Sequence, residues 1–209
     1  MFTYASYVNP RARDCMKKRA ETMAENREKL VRAARLAFAR EGYAEASMDD
    51  LTAAAGLTRG ALYHSFGDKK GLLWAVVAQI DGEMAERLRI AREGAPDAFR
   101  GLLAEGEAYI EMALEPEIQR IMLLDGPAVL GDPSKWPGES ACLEITMRTI
   151  RTLLSERIVK DVDAEAAARL VNGAALNAAL WIAAADDPPA VLGKALAAFR
   201  ALVSGLLRD

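Results

Sequence analysis

The sequence predicts an all-α protein, with a small three-helix unit towards the N-terminus and a larger helical body after it. Three observations carry that expectation. Alanine, leucine, arginine and glutamate dominate the 209 residues, and β-branched residues never gather into alternating runs, so no strand is predicted. Ser47, Thr58 and Asp68 each stand just before a helical pattern, where their side chains can satisfy exposed backbone N–H groups, and a glycine separates the first two patterns. Charge is also partitioned: residues 1–74 carry 13 Lys and Arg against 9 Asp and Glu, and the remainder carries 14 against 21, within a net charge of −3. That asymmetry suits a small anion-facing module on an acidic body.

Residues 1–24 mix polar, basic and proline residues without a steady period and read as a flexible tail. Met16 opens "MKKRAETMAENREKL", a natural start, so the first 15 residues are expected to be a mis-set start or dispensable. A first helix is predicted over 25–40, with Leu30, Ala33, Ala34, Ala37 and Phe38 on one stripe and Gly42 as its stop. Ser47 caps a short second helix whose inner face is Met48, Leu51 and Ala55, and Asp49 and Asp50 favour its N-terminal dipole. Gly56 ends that helix, Leu57 packs beneath, and Thr58 caps a third helix running to about Phe66. Two short helices joined by a glycine turn and preceded by a third form a helix-turn-helix unit over 25–70.

Asp68 caps a fourth helix over 69–92, too long for the small unit alone and therefore expected to bridge into the body at 71–209. Beyond it, helices are predicted over 97–113, 115–125, 139–160, 164–185 and 189–207, with an irregular loop over 126–140.

With Leu62 at the centre of its buried face, the third helix turns Gly60, Tyr63 and His64 outward and leaves Arg59 and Ala61 on the flanks. The exposed face is nearly bare at one end and aromatic at the other. Such a helix end can be pushed into the major groove of DNA, where an alanine methyl can touch thymine and an arginine can pair with guanine. Tyr63, His64 and Ser65 can donate to phosphates, as can Lys69 at the start of the next helix.

The stretch from Asn26 to Leu73 resembles the DNA-binding domain of the TetR family of transcriptional regulators. The likeness rests on Ala33-Ala34 followed by Phe38, the Gly42-Tyr43 stop, the capped second helix, Ala55-Gly56-Leu57, and Tyr63, Phe66 and Lys69 at their spacing. The resemblance implies that Thr58, Arg59, Gly60, Ala61, Tyr63, His64 and Lys69 meet groove or phosphate, with Ser47 capping near the DNA backbone. One position departs: the family often has histidine just before the phenylalanine, where this chain has Ser65 with His64 one place earlier.

The resemblance further implies an all-helical ligand-binding and dimerisation domain in which the last two long helices pair with those of a second copy. The small side chains of 164–185 and 189–207 allow such close approach. For a small-molecule effector, Phe99, Tyr109, Met112, Met122, Trp136, Cys142, Met147 and Trp181 are the nominated lining. Their apolar character, without a basic cluster, points to an apolar or aromatic compound. The expectation is therefore a ligand-released repressor on a palindromic operator; a constitutive DNA-binding protein or an activator without a ligand is the alternative.

Other classes find no support in the residues. There is no G-x-S-x-G, glycine-rich phosphate loop or H-E-x-x-H, and the single histidine lies on the presumed recognition helix, so no enzymatic activity and no cofactor are expected. Cys15 and Cys142 lie far apart and imply neither a disulfide nor a metal site. The longest apolar run, 173–185, is too short to span a bilayer, and a cytoplasmic location without membrane association is expected.

Overall fold

The computed structural model describes residues 10–208, and among these every regular element is helical, with one isolated backbone bridge between Val159 and Leu207. The elements are α1 (Pro10–Glu41), α2 (Met48–Ala54), α3 (Arg59–Phe66), α4 (Lys69–Glu93), α5 (Ala98–Met112), α6 (Gly126–Leu130), α7 (Pro137–Ser155), α8 (Ala164–Ala183) and α9 (Pro188–Ser204). A π-helical stretch, Ile118–Asp125, runs directly into α6, and a 3-10 turn, Pro133–Lys135, precedes α7.

Local chemistry accounts for most of these boundaries. Asp68, Asp97, Asp163 and Asp187 each accept a hydrogen bond from the backbone N–H three residues on, closing the N-termini of α4, α5, α8 and α9. Two differences from the expected pattern have physical causes. The part of the expected tail at 1–9 lies outside the described residues, but from Pro10 to Ala24 the chain is helical. A stripe-based prediction cannot find that part of α1, because its apolar stripe begins only at Leu30. The segment instead combines proline at its start with helix-forming Lys, Arg, Ala and Glu and a Lys17–Glu21 pair at 3.9 Å. Likewise, much of the expected loop at 126–140 is helical, because Gly126 and Pro127 continue the preceding turn rather than break it.

α1, α2 and α3 pack around Leu30, Ala34, Phe38, Leu51 and Leu62, all essentially without solvent exposure. α4 serves both units, burying Leu72, Leu73 and Val76 near the small unit and Ile80, Met84 and Leu88 in the body. The body is a bundle of α4, α5, α7, α8 and α9. α8 is long and apolar enough to cross a membrane by length and composition alone, but Ala168, Val171, Ala175, Ala179 and Ile182 bury one of its faces within the bundle.

The two units are tied by more than α4. Arg35 on α1 bonds both oxygens of Glu83 on α4, at 2.6 and 2.7 Å, and both oxygens of Glu117, each at 2.7 Å. The Tyr43 N–H donates to the Asp125 carboxylate at 2.7 Å, and the same oxygen accepts from Arg120 at 3.1 Å. Gly42, with φ of +87°, makes this closure possible: a Cβ there would overlap the Arg120 guanidinium.

Candidate functional site

The outward face of the small unit is built by two caps and one turn. Ser47 Oγ accepts from the Asp50 N–H at 3.2 Å, and Thr58 Oγ1 from the Ala61 N–H at 3.3 Å, fixing where α2 and α3 begin. Gly56, with φ of +66°, turns the chain between them in a conformation that a side chain would strain. Leu62, wholly buried, then sets the roll of α3, so Arg59, Gly60, Tyr63 and His64 are exposed, with Ala61 and Ser65 half-buried beside them.

Gly60 is informative for what it does not do inside the fold. A Cβ built there would meet only Thr58 Oγ1, at 3.7 Å, and its backbone has no positive φ. Nothing among the described residues calls for glycine at this helical position, where alanine is ordinarily better.

The structure adds partners that the linear pattern did not reveal. The Arg59 guanidinium makes a two-pronged ion pair with Asp49 on α2, which raises its pKa, and both side chains remain more than half exposed. Lys69 folds back over the Tyr43 ring, 4.5 Å from its centre, and donates to the Ala44 carbonyl at 3.2 Å; burial lowers its pKa. Arg27 stacks over Phe66 at 4.3 Å and donates to the Ser65 carbonyl at 2.8 Å, so α1 steadies the C-terminal end of α3.

In the body, α4, α5, α7 and α8 enclose a narrow chamber of about 40 Å3, floored by Leu102, Gly106, Val171 and Leu176. Its polar strip is Thr146, whose single hydroxyl proton is shared between the Cys142 carbonyl at 3.1 Å and Asn172 Oδ1 at 3.0 Å, with Asn172 Nδ2 3.6 Å from Cys142 Sγ. The chamber adjoins a cleft of about 420 Å3 between α4, α5 and α7, and the two share Leu88, Glu105, Tyr109 and Cys142. Glu105 is buried and bonded to Arg92 at 2.8 Å, and burial raises its pKa despite that partner.

Of the side chains nominated for a ligand, Tyr109 and Cys142 stand together on this cavity. Met112 and Met122 are core residues, and Phe99 is buried under a separate groove between α5 and α9. Trp136 is buried edge-on against Trp74, ring centres 5.8 Å apart, and its indole N–H has no partner among the described residues. Met147 packs against the core, and Trp181 is half exposed on α8. Asp81, Arg92, Glu105, Thr146 and Asn172 were not anticipated; only the one-turn spacing of Cys142 and Thr146 hinted at a shared face.

Residues 30–76 match the model of bacterial regulatory proteins of the tetR family, and residues 99–206 match that of the tetracyclin repressor-like C-terminal domain. The chain belongs to the TetR family. Among TetR-family relatives, the HTH-type transcriptional repressor AcnR of Corynebacterium efficiens is 30% identical over 142 residues, which span 67% of this chain and 72% of that protein. A TetR-family transcriptional regulator from Pectobacterium atrosepticum, solved by crystallography, is 49% identical with a TM-score of 0.83, the match covering 90% of this chain and 97% of that one. SCO4454 of Streptomyces coelicolor, at 22% identity and a TM-score of 0.68 over 88% of this chain and 96% of that one, shares the fold. As a TetR-family member the protein is a helix-turn-helix DNA-binding transcriptional regulator, not an enzyme.

Proposed function

We propose that the protein is a dimeric repressor that binds a palindromic operator through α3 and releases it when a small apolar or aromatic effector enters the body. The observation that carries the DNA contact is the bare, capped start of α3, with Arg59, Gly60, Ala61, Tyr63 and His64 presented outward from a buried Leu62 anchor. In this reading Thr58 and Ser47 lie beside the DNA backbone, Tyr63, His64 and Ser65 meet phosphates, and Arg59 reads a base once DNA draws it from Asp49. Lys69 reaches a phosphate by unfolding from the Tyr43 ring. The name of the AcnR relative supports repression as the direction of control.

A second copy is supported by the outer face of α8 and α9, where Leu170 is 71% exposed, Leu202 54% and Trp181 50%. Apolar side chains so exposed, on helices whose other faces are already packed, suit closure against a symmetry mate. Two recognition helices about 34–36 Å apart would then read half-sites one DNA turn from each other. The effector acts by favouring a different spacing, and α4 is the lever because it packs in both units. The Arg35 and Asp125 contacts carry the same movement into α1. The cavity shared by Tyr109 and Cys142 is the ligand site in this reading, and the protein works in the cytoplasm.

The test is selection of bound duplexes from a random library, followed by gel shift at two salt concentrations. Enrichment of a palindrome with steeply salt-dependent binding is expected. Absence of any enriched sequence refutes the DNA-reading role of α3.

A further inference from the structure

The cleft between α4 and α7 is not electrostatically neutral. Among the described residues, five charged side chains line it: Asp81, Glu86, Arg89, Arg92 and Glu105. Arg89 is paired with Glu86 at 2.7 Å and also with Glu93, and Arg92 with Glu105 at 2.8 Å. Both guanidinium groups are therefore committed to carboxylates of the protein itself. Asp81 alone among the five has no hydrogen-bond or ion-pair partner among the described residues. Its carboxylate is pressed against the backbone of Gly138, where a Cβ would overlap it, so a larger residue at 138 would force it away.

A half-buried carboxylate without a counter-charge is a standing cost, and burial pushes its pKa above the ordinary aspartate value. Met84, Leu88, Tyr109 and Ile145 supply the apolar wall beside it. The volume of about 420 Å3 falls in the range that holds a compact organic molecule. An anionic ligand would have to displace Glu105 from Arg92 and sit near Asp81, facing two like charges. A cation would meet the one charge that lacks a partner among the described residues of the cleft.

We propose that this cleft binds an apolar organic cation, an aromatic or aliphatic body carrying a protonated amine, with the ammonium at Asp81 and the body against Met84, Leu88 and Tyr109. This rests on the reading of the body as an effector domain and deepens it by naming the ligand's chemistry. Asp81 is the group that distinguishes the cation from neutral or acidic molecules of the same shape.

The test uses three probes with one body and different heads: 1-naphthylmethylamine, 1-naphthalenemethanol and 1-naphthoic acid, titrated by calorimetry into the full chain at neutral pH. The amine is expected to bind about tenfold tighter than the alcohol, with the acid weakest, as one partly desolvated charge-assisted contact would give. In Asp81→Asn the preference for the amine over the alcohol should fall below about threefold. Ala141→Phe, at an exposed position on the cleft wall, should weaken all three and marks the site without touching Asp81. Tightest binding of the acid, binding of none of the probes, or an amine preference that survives Asp81→Asn overturns the proposal, the last making Asp81 only a support for the start of α7. DNA binding is measured in parallel. Selective amine binding that leaves the DNA complex intact upholds this inference and refutes effector release, whereas DNA release by the acid alone does the reverse.

Discussion

Gly60 offers a perturbation in which stability and DNA affinity should move in opposite directions. Replacing it with leucine adds a side chain at the second residue of α3, where the nearest heavy atom to a new Cβ is Thr58 Oγ1 at 3.7 Å. The fold therefore has room for it. A helical glycine costs up to about 1 kcal/mol relative to a good helix former, so Gly60→Leu should be neutral or stabilising by as much as that. For a chain of this length, that corresponds to a rise of roughly 0–4 °C in Tm. On DNA the same side chain occupies the space in which the helix end must approach base edges, and affinity should fall by about tenfold or more. Thermal unfolding and fluorescence anisotropy with the selected operator read the two effects separately, and Gly60→Ala should give a smaller version of both. Wild-type affinity in Gly60→Leu would refute the placement of the α3 N-terminus in the groove. A lower Tm would refute the claim that nothing inside the fold requires glycine there.

Asp49→Ala should leave Tm nearly unchanged, since its pair with Arg59 is solvent-exposed, yet change base preference at the position that Arg59→Ala also relaxes. A double-mutant cycle on the operator checks this coupling. Arg35→Ala should cost about 1–2 kcal/mol, because two charge-assisted contacts of a largely buried guanidinium are lost but both carboxylates retain some water; denaturant unfolding measures it. Leu170→Glu combined with Trp181→Glu should convert the dimer to a monomer in light scattering and weaken operator binding, with secondary structure retained. Asp81→Asn should be more stable than wild type at neutral pH. Burial raises the Asp81 pKa, so ionising it opposes folding above the unfolded value of about 3.9, and the difference should shrink as pH falls and vanish below that value. Melting curves across that pH range follow it.

Local rules made the small unit legible in the linear chain. Its caps at Ser47 and Thr58, the turn at Gly56 and the anchor at Leu62 each act within one or two helical turns, so their spacing in sequence is their spacing in space. Helix-scale periodicity likewise placed α4, α5, α8 and α9 to within a few residues, and composition ruled out a sheet. Where helix-forming residues lacked an apolar stripe, as in α1 before Leu30, the same rules fell silent.

Tertiary structure decided what lies between helices. Asp49 reaches Arg59 across the turn, and Lys69 lies on Tyr43, because the packing angles of α1, α2 and α3 bring together groups that no periodic pattern relates. The cavity was the least legible part: most of the large apolar residues nominated for it went to the core. Beside Tyr109 and Cys142, its polar lining is Glu105, Thr146, Asn172 and Asp81, drawn from four helices separated by long stretches of chain. Sequence sets the chemistry of each helix face, but which faces meet, and which charge is left without a partner where they meet, follows only from the three-dimensional packing of the bundle.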